Sequence, residues 1–147
     1  MRIAIIRLKG KRGITPTVKA TYESLSLNRL YTCVLVPDNE GYRGMIQQCK
    51  DSVSYGPVDE QTILMLLSRR GRSRDGKKLS ESMNPEAVAK LAKEMASSGK
   101  PTSQHAILPF FNLAPPRGGF DGGSKKAYTP GPLGKNAKIG ELLARMA

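Results

Sequence analysis

The side chains that could do chemistry in this chain are cationic, and they come in clusters between apolar segments. Arg7, Lys9, Lys11 and Arg12 close the first apolar run. Arg29 follows Asn28, and Arg43 and Lys50 lie on the polar side of a later amphipathic stretch. The densest cluster is Arg69, Arg70, Arg72 and Arg74, followed by Lys77 and Lys78, with Gly71 and Gly76 interspersed. Arg117, Lys125, Lys126, Lys135 and Lys138 are spread through a tail rich in glycine and proline. Such groups bind phosphate, and each contact releases condensed counterions, so scattered contacts sum to a salt-sensitive affinity. Arginine adds a planar fork that pairs bidentately or stacks, and a neighbouring glycine lets backbones approach. A single charged residue is ordinarily a solvated side chain, and for any one lysine here that reading stands. Four arginines within Arg69 to Arg74 exceed what solubility needs, so this run is read as an RNA contact.

Other chemistry is hard to assemble. The single histidine, His105, is read as a surface or packing residue. Cys33 and Cys49 are 16 positions apart and lack the short ligand pairs of a zinc site. The stretch from Gly131 to Asn136 fails as a phosphate loop, because Thr129 replaces the leading glycine and Asn136 follows Lys135 where Ser or Thr is needed. Gly118-Gly119 and Gly122-Gly123 follow no strand-to-helix turn, so they make no dinucleotide site. No Gly-x-Ser-x-Gly elbow occurs. Asp38 and Glu40 sit where helix-capping acids belong. The chain is therefore expected to be no enzyme, with no metal, cofactor or small-molecule substrate.

With 24 Lys+Arg against 12 Asp+Glu, the net charge is +12. A compact body with that surplus repels itself unless a polyanion neutralises it, nucleic acid being the first choice and an anionic membrane surface the second. Both cysteines lie in apolar segments and read as core residues of a reducing compartment. The apolar run at Met1 to Arg7 is too short for a signal peptide. No stretch reaches the ~18–20 apolar residues of a membrane helix. A soluble, cytoplasmic protein is expected. Only 5% of residues are aromatic, so the core must come from Ile, Leu, Val, Ala and Met.

The elements that must position these cations can be read from hydrophobic period. Arg2 to Leu8 predicts a buried strand. Thr15 caps a helix with Pro16 in its first position and Val18, Tyr22 and Leu25 on one face. Tyr31 to Val36 predicts a second strand, ended by Pro37. Asp38 or Asn39 caps a second helix with Tyr42, Met45, Ile46 and Cys49 inward. Gly41 and Gly44 cost that helix about 1 kcal/mol each relative to alanine, so something else must justify them. Val53, Tyr55 and Val58 alternate as a third strand across Gly56-Pro57. Residues 1–58 thus predict a β-α-β-α-β core, two helices covering one sheet face and leaving the other for a partner or the rest of the chain. Residues 59–113 predict a helical extension: a helix capped by Asp59, the basic loop, a helix opened by Asn84-Pro85 with Val88, Leu91, Ala92 and Met95 inward, and a short strand within Ile107 to Leu113. Residues 114–147 predict a basic arm. Phe120 and Tyr128 are its stacking candidates, and Ile139, Leu142, Leu143 and Met146 form a terminal amphipathic helix that must dock. The arm is expected to order against RNA or against the protein's own sheet.

Several segments resemble a known family. Leu25-Ser26-Leu27-Asn28-Arg29, Cys33-Val34-Leu35-Val36-Pro37-Asp38 and Tyr42-Arg43-Gly44-Met45-Ile46 are similar to the universal large-subunit ribosomal protein thirty family (L-thirty in bacteria, L-seven in eukaryotes). Leu67-Ser68-Arg69-Arg70-Gly71-Arg72, the run from Phe111 to Phe120 through Pro115-Pro116-Arg117-Gly118-Gly119, and Leu133-Gly134 resemble its longer archaeal and eukaryotic branch. The eukaryotic basic N-terminal extension is missing, so the resemblance is to the archaeal type. It implies an α+β, ferredoxin-like-related core with a three-stranded antiparallel sheet in the order 3-1-2, two helices on one face, added helices and an extended C-terminal arm. It also implies a structural constituent of the large ribosomal subunit that binds rRNA, with 5S rRNA and neighbouring ribosomal proteins nearby. By motif, Tyr42-Arg43-Gly44 and Asn28-Arg29 look like RNA contacts, and Arg117 would lead the arm along RNA. Gly44 would then admit close backbone approach, although helix packing explains a glycine there nearly as well. The alternatives are an off-ribosome RNA chaperone or processing factor, and a small phosphate-substrate enzyme using the glycine-rich arm as a loop.

Overall fold

The computed structural model describes residues 1–123, 125–128 and 130–147. Thr129, which breaks the phosphate-loop spacing, lies outside them. Five strands, β1 (Arg2–Arg7), β2 (Thr32–Pro37), β3 (Val53–Val58), β4 (Phe110–Asn112) and β5 (Gly134–Lys135), form one sheet in the order β4-β2-β1-β3-β5. Among the described residues six α-helices accompany them: α1 (Pro16–Ser24), α2 (Glu40–Cys49), α3 (Glu60–Arg70), α4 (Leu79–Ser82), α5 (Pro85–Ser97) and α6 (Ile139–Met146). The expected antiparallel 3-1-2 core sits at the centre of this sheet, and the fold is α+β and related to the ferredoxin-like class. The sheet is wider than expected: β4 pairs antiparallel with β2, and β5 pairs parallel with β3.

Alternation along the strands sorts the core into two layers. Ile5, Val34, Val36 and Val53 face α1 and α2, packing with Tyr22, Leu25, Ile46 and Cys49. Ala4, Ile6, Cys33, Leu35 and Val58 face α3, α5 and α6, packing with Leu66, Leu67, Met95, Leu143 and Met146. Both faces are covered, which is why β1 reads as a continuous apolar run rather than as apolar–polar alternation. The second face is covered by the chain itself: the stripe expected for α6 is buried in full, and that of α5 is buried at Val88, Ala92 and Met95, with Leu91 half-buried at its margin. The two cysteines fall on opposite faces and are free. Burial pushes the Cys33 thiol up to about 12 and the Cys49 thiol up to about 11, so both are inert core groups at neutral pH.

Caps follow the expected positions with different chemistry. Thr15 Oγ1 accepts a hydrogen bond from the Val18 N–H at 3.4 Å. Asn39 rather than Asp38 holds the cap position of α2, and neither Asn39, Asp59 nor Asn84 makes a side-chain cap bond. Helix α4, immediately after the basic segment, carries no period long enough to read and closes with a Met83 N–H to Leu79 carbonyl bond of 2.9 Å.

The tail returns to the sheet instead of leaving it. Asn136 N–H donates to the Tyr55 carbonyl at 2.8 Å, and its side chain reaches Ser54 Oγ at 3.4 Å. This close return explains Gly56: a Cβ there would lie 2.2 Å from the Asn136 carbonyl oxygen. Pro57 is tolerated because β5 pairs only with Ser54 and Tyr55, leaving Pro57 beyond the added strand.

Candidate nucleic-acid interface

The pairing registers bring distant loops to one end of the sheet. Strand β1 ends at Arg7, opposite Val53 at the start of β3, and Ile6 lies opposite Cys33 near the start of β2. Asn112 at the end of β4 pairs with Thr32, and Gly134 at the start of β5 pairs with Ser54. The turn carrying Lys9, Lys11 and Arg12, the corner carrying Asn28 and Arg29, the turn carrying Lys50, the start of the tail and the stretch before β5 therefore all join the sheet at this end. Lys11 lines one cavity with Tyr22 and Asn28 and a second with Lys9, Arg12 and Lys125. Lys9 and Lys125 also line a third with Lys50, Tyr128 and Lys135. Shared lining residues make these one basic groove, built from residues more than a hundred positions apart in sequence.

The corner at Asn28-Arg29 is held under backbone strain. Ser26 and Tyr31 both have φ of 60°, a left-handed conformation that disfavours side-chain-bearing residues. Ser26 occupies the position after the α1 cap where glycine is usual, with Ser26 N–H on the Glu23 carbonyl and Leu27 N–H on the Tyr22 carbonyl. Tyr31 N–H is tied to the Arg7 carbonyl at 2.9 Å. Asn28, Arg29 and Leu30 stay exposed at the tip.

Arg7, expected among the RNA contacts, is a buried side chain with partners inside the protein. It is 4% exposed, donates from Nε to the Lys9 carbonyl at 2.9 Å and from Nη1 to the Leu27 carbonyl at 2.8 Å, and lies 4.3 Å from the Tyr22 ring centroid. Its parity with Ile5 turns it under α1, where backbone acceptors consume the fork. It braces the two loops that present Lys9 and Asn28. Phe120 also departs from its reading as a free stacking platform: its ring packs on Tyr31, centroids 6.4 Å apart, and against the core. Arg117 and Gly118 are exposed on a turn that sequence reading did not explain. Arg145 of α6 holds that turn, donating to the carbonyls of Arg117, at 2.9 Å, and Gly119. Lys126 is exposed on the same tail, with its carbonyl accepting from Leu133 N–H at 3.2 Å.

Two other groups of expected contacts lie elsewhere. Tyr42, Arg43 and Gly44 begin α2, which follows the opposite end of β2. The Arg43 fork donates to both Asp38 oxygens at 2.6 and 2.7 Å and holds that carboxyl below the usual range, so Asp38 orients Arg43 instead of capping the helix. A Cβ on Gly44 would meet nothing within 4 Å, so packing does not require glycine there. The Arg69 to Lys78 segment leaves the end of α3 and folds back on itself. Ser73 N–H bonds the Lys77 carbonyl at 2.9 Å, and Gly76, at φ 81°, turns the loop. Leu108 N–H donates to the Arg72 carbonyl at 2.9 Å, seating the segment just before β4. Arg69, Arg72, Arg74, Lys77 and Lys78 are exposed and Arg70 half-buried.

His105 is buried, with Nδ1 3.9 Å from Glu94 and Nε2 without a hydrogen-bond partner. No group of three or more His, Cys, Asp or Glu among the described residues could hold a metal. No helix among them is long and apolar enough to cross a membrane.

Residues 3–53 match the family model described as Ribosomal protein L30p/L7e. The whole chain is similar to curated archaeal proteins named large ribosomal subunit protein uL30. The protein of Methanococcus vannielii is 38% identical over 99% of both chains. That of Methanothrix thermoacetophila is 35% identical over 97% of this chain and 98% of its own, and that of Korarchaeum cryptofilum 38% identical over 98% and 94%. Likeness of this extent runs through the tail as well as the β-α-β-α-β core, and with it the chain belongs to the uL30 family of large ribosomal subunit proteins, in its archaeal type.

Proposed function

We propose that this chain is a structural constituent of the large ribosomal subunit in the cytoplasm that binds rRNA and catalyses nothing. The observation that carries this reading is the convergence of basic loops, from Lys9 to Lys135, at one end of a sheet whose two faces are already filled by the chain itself. Both faces being occupied, the polar loops and edges remain for a partner, and their charge selects phosphate. The strained Asn28-Arg29 corner and the exposed cations of the Arg69 to Lys78 segment supply further contacts. The resemblance noted above adds 5S rRNA and neighbouring large-subunit proteins to the surroundings.

Salt dependence tests this directly. Replacing Lys9, Lys11, Arg12 and Lys125 by glutamine leaves the fold intact and lowers the slope of log affinity for large-subunit rRNA against log salt, by up to about one unit per lost phosphate contact. Replacing Arg69, Arg70, Arg72 and Arg74 by glutamine does the same for the second site. Equal slopes for wild type and both variants, measured by filter binding across salt, would refute the interface. Crosslinking with sequencing on intact large subunits reports which RNA, 5S included, lies against the groove.

Gly44 separates access from packing. Because space is open around it, Gly44→Ala stabilises α2, by up to about 1 kcal/mol, while weakening rRNA binding by blocking backbone approach. A variant that melts later and binds equally well would remove Tyr42-Arg43-Gly44 from the interface.

A further inference from the structure

The groove at the loop end does not stop there. Tyr55 and Lys135, which line its last cavity, also line the next one, which runs past Ile3 and Pro57 to Arg43. A continuous track therefore follows β3 and β5 from Lys125 to the start of α2. Six residues of β3 set its length at roughly 20 Å, at about 3.3 Å per residue. Tyr55 and Tyr128 both line its loop-end cavity, Tyr55 also borders the next one, and their backbones are fixed: Tyr128 N–H donates to the Leu133 carbonyl and Asn136 N–H to the Tyr55 carbonyl, both at 2.8 Å. Both tyrosines are half-buried, so each is anchored on one side and open on another. Two acids line the track. Asp38 is engaged by the Arg43 fork, and Asp51 stands beside Lys50.

We propose that this track holds one unpaired RNA strand, with phosphates against Lys9, Lys50, Lys125 and Lys135 and bases against Tyr128 and Tyr55, leading from the loop end to Arg43. The inference rests on the rRNA-binding reading above and names the form of RNA that the site takes. A duplex keeps its base faces stacked inside and offers a protein phosphates, 2′-hydroxyls and base edges. Lysines alone would suit it, but tyrosines fixed along the same cleft would have nothing to stack on. A single strand satisfies both, since stacking on an aromatic ring is available to every base.

The test uses the intact chain and a labelled mixed-sequence RNA of about 12 nucleotides, within the usual length range of single-strand sites, offered single-stranded or as its blunt duplex. In matched moderate salt the single strand binds about tenfold more tightly. Tyr128→Leu weakens single-strand binding about tenfold and leaves duplex binding unchanged. Tyr128→Phe, which keeps the ring, retains wild-type affinity, and thermal melts confirm that both variants are folded. Thiouridine in the strand crosslinks to peptides spanning residues 125–135 and 53–57. Equal affinity for strand and duplex, an unaffected Tyr128→Leu variant, or crosslinks confined to residues 69–78 would each overturn the track while leaving rRNA binding and its salt slope in place. Failure to bind intact rRNA at low salt would overturn the underlying reading itself.

Discussion

Removing α6 by ending the chain at Lys138 will leave a protein that does not fold cooperatively. The helix contributes Ile139, Leu143 and Met146 at 0% exposure and Leu142 at 7% to the layer beneath α3 and β3. At about 1.5–3 kcal/mol for each buried aliphatic side chain, these four account for roughly 6–12 kcal/mol. That is the scale of the whole stability of a domain, about 5–15 kcal/mol. The milder substitution Leu143→Ala should cost about 2–5 kcal/mol through lost burial and the cavity left behind. Urea titration followed by circular dichroism distinguishes this from a tail that orders only on RNA. An RNA-dependent arm could be deleted with no change in the urea midpoint, and that result would contradict the packing described here. The same cut releases Arg145 from the Arg117 and Gly119 carbonyls, so the turn presenting Arg117 should loosen as well.

Arg2→Met is the second large effect, and it arises from a residue whose charge suggests surface. Arg2 is 1% exposed. Its guanidinium donates to the Met95 carbonyl, to the Ser98 carbonyl and Oγ at 3.3 and 3.2 Å, to the Lys100 carbonyl at 2.7 Å and to Thr102 Oγ1 at 3.5 Å. It thus closes the C-terminal end of α5, where a cation also meets the negative end of the helix dipole. Thr102 passes the connection on, donating from Oγ1 to the Leu35 carbonyl at 2.7 Å. Methionine fills much of the volume but leaves several buried acceptors without donors. A loss of about 3–5 kcal/mol is expected, since hydrogen bonds to charged groups are worth about 1.5–3 kcal/mol each and unsatisfied groups cost more. In a chain of this size that lowers Tm by roughly 10 °C. Arg2→Lys should rescue little, because one ammonium cannot reach acceptors arranged around a planar fork. Hydrogen exchange should show lost protection at residues 95–102, whereas the salt slope of RNA binding stays unchanged. A slope that fell with Arg2→Met would place Arg2 among the phosphate contacts instead of in the core.

Arg2 and Arg7 are cations that the fold buries. Both were within reach of sequence reasoning through strand parity: Arg2 shares a face with Ala4 and Ile6, and Arg7 shares one with Ile3 and Ile5. What parity does not supply is the set of acceptors that makes a buried guanidinium tolerable. Those acceptors lie in α5 and its following loop for Arg2, and in the corner after α1 for Arg7. Phe120 is the aromatic counterpart, since nothing near it in sequence announces that Tyr31 waits on another loop. Gly44 and Gly56 divide in the same way. Both interrupt good periodic segments, yet one faces open space and the other a backbone carbonyl.

What the residues decide locally is therefore the alphabet of this protein: three short apolar strands, amphipathic helices begun by Thr15-Pro16 and Asn84-Pro85, inert cysteines and a large surplus of positive charge. These follow from side-chain period, cap chemistry and net charge, which act over a few residues or over the whole composition. Tertiary structure alone decided that the tail would close the sheet as β5, that β4 would widen it, and that Lys9, Lys50, Lys125 and Lys135 would meet in one groove. Strand pairing across such separations depends on which sheet edge has free backbone groups and which apolar face still needs cover, and both exist only once the core has formed.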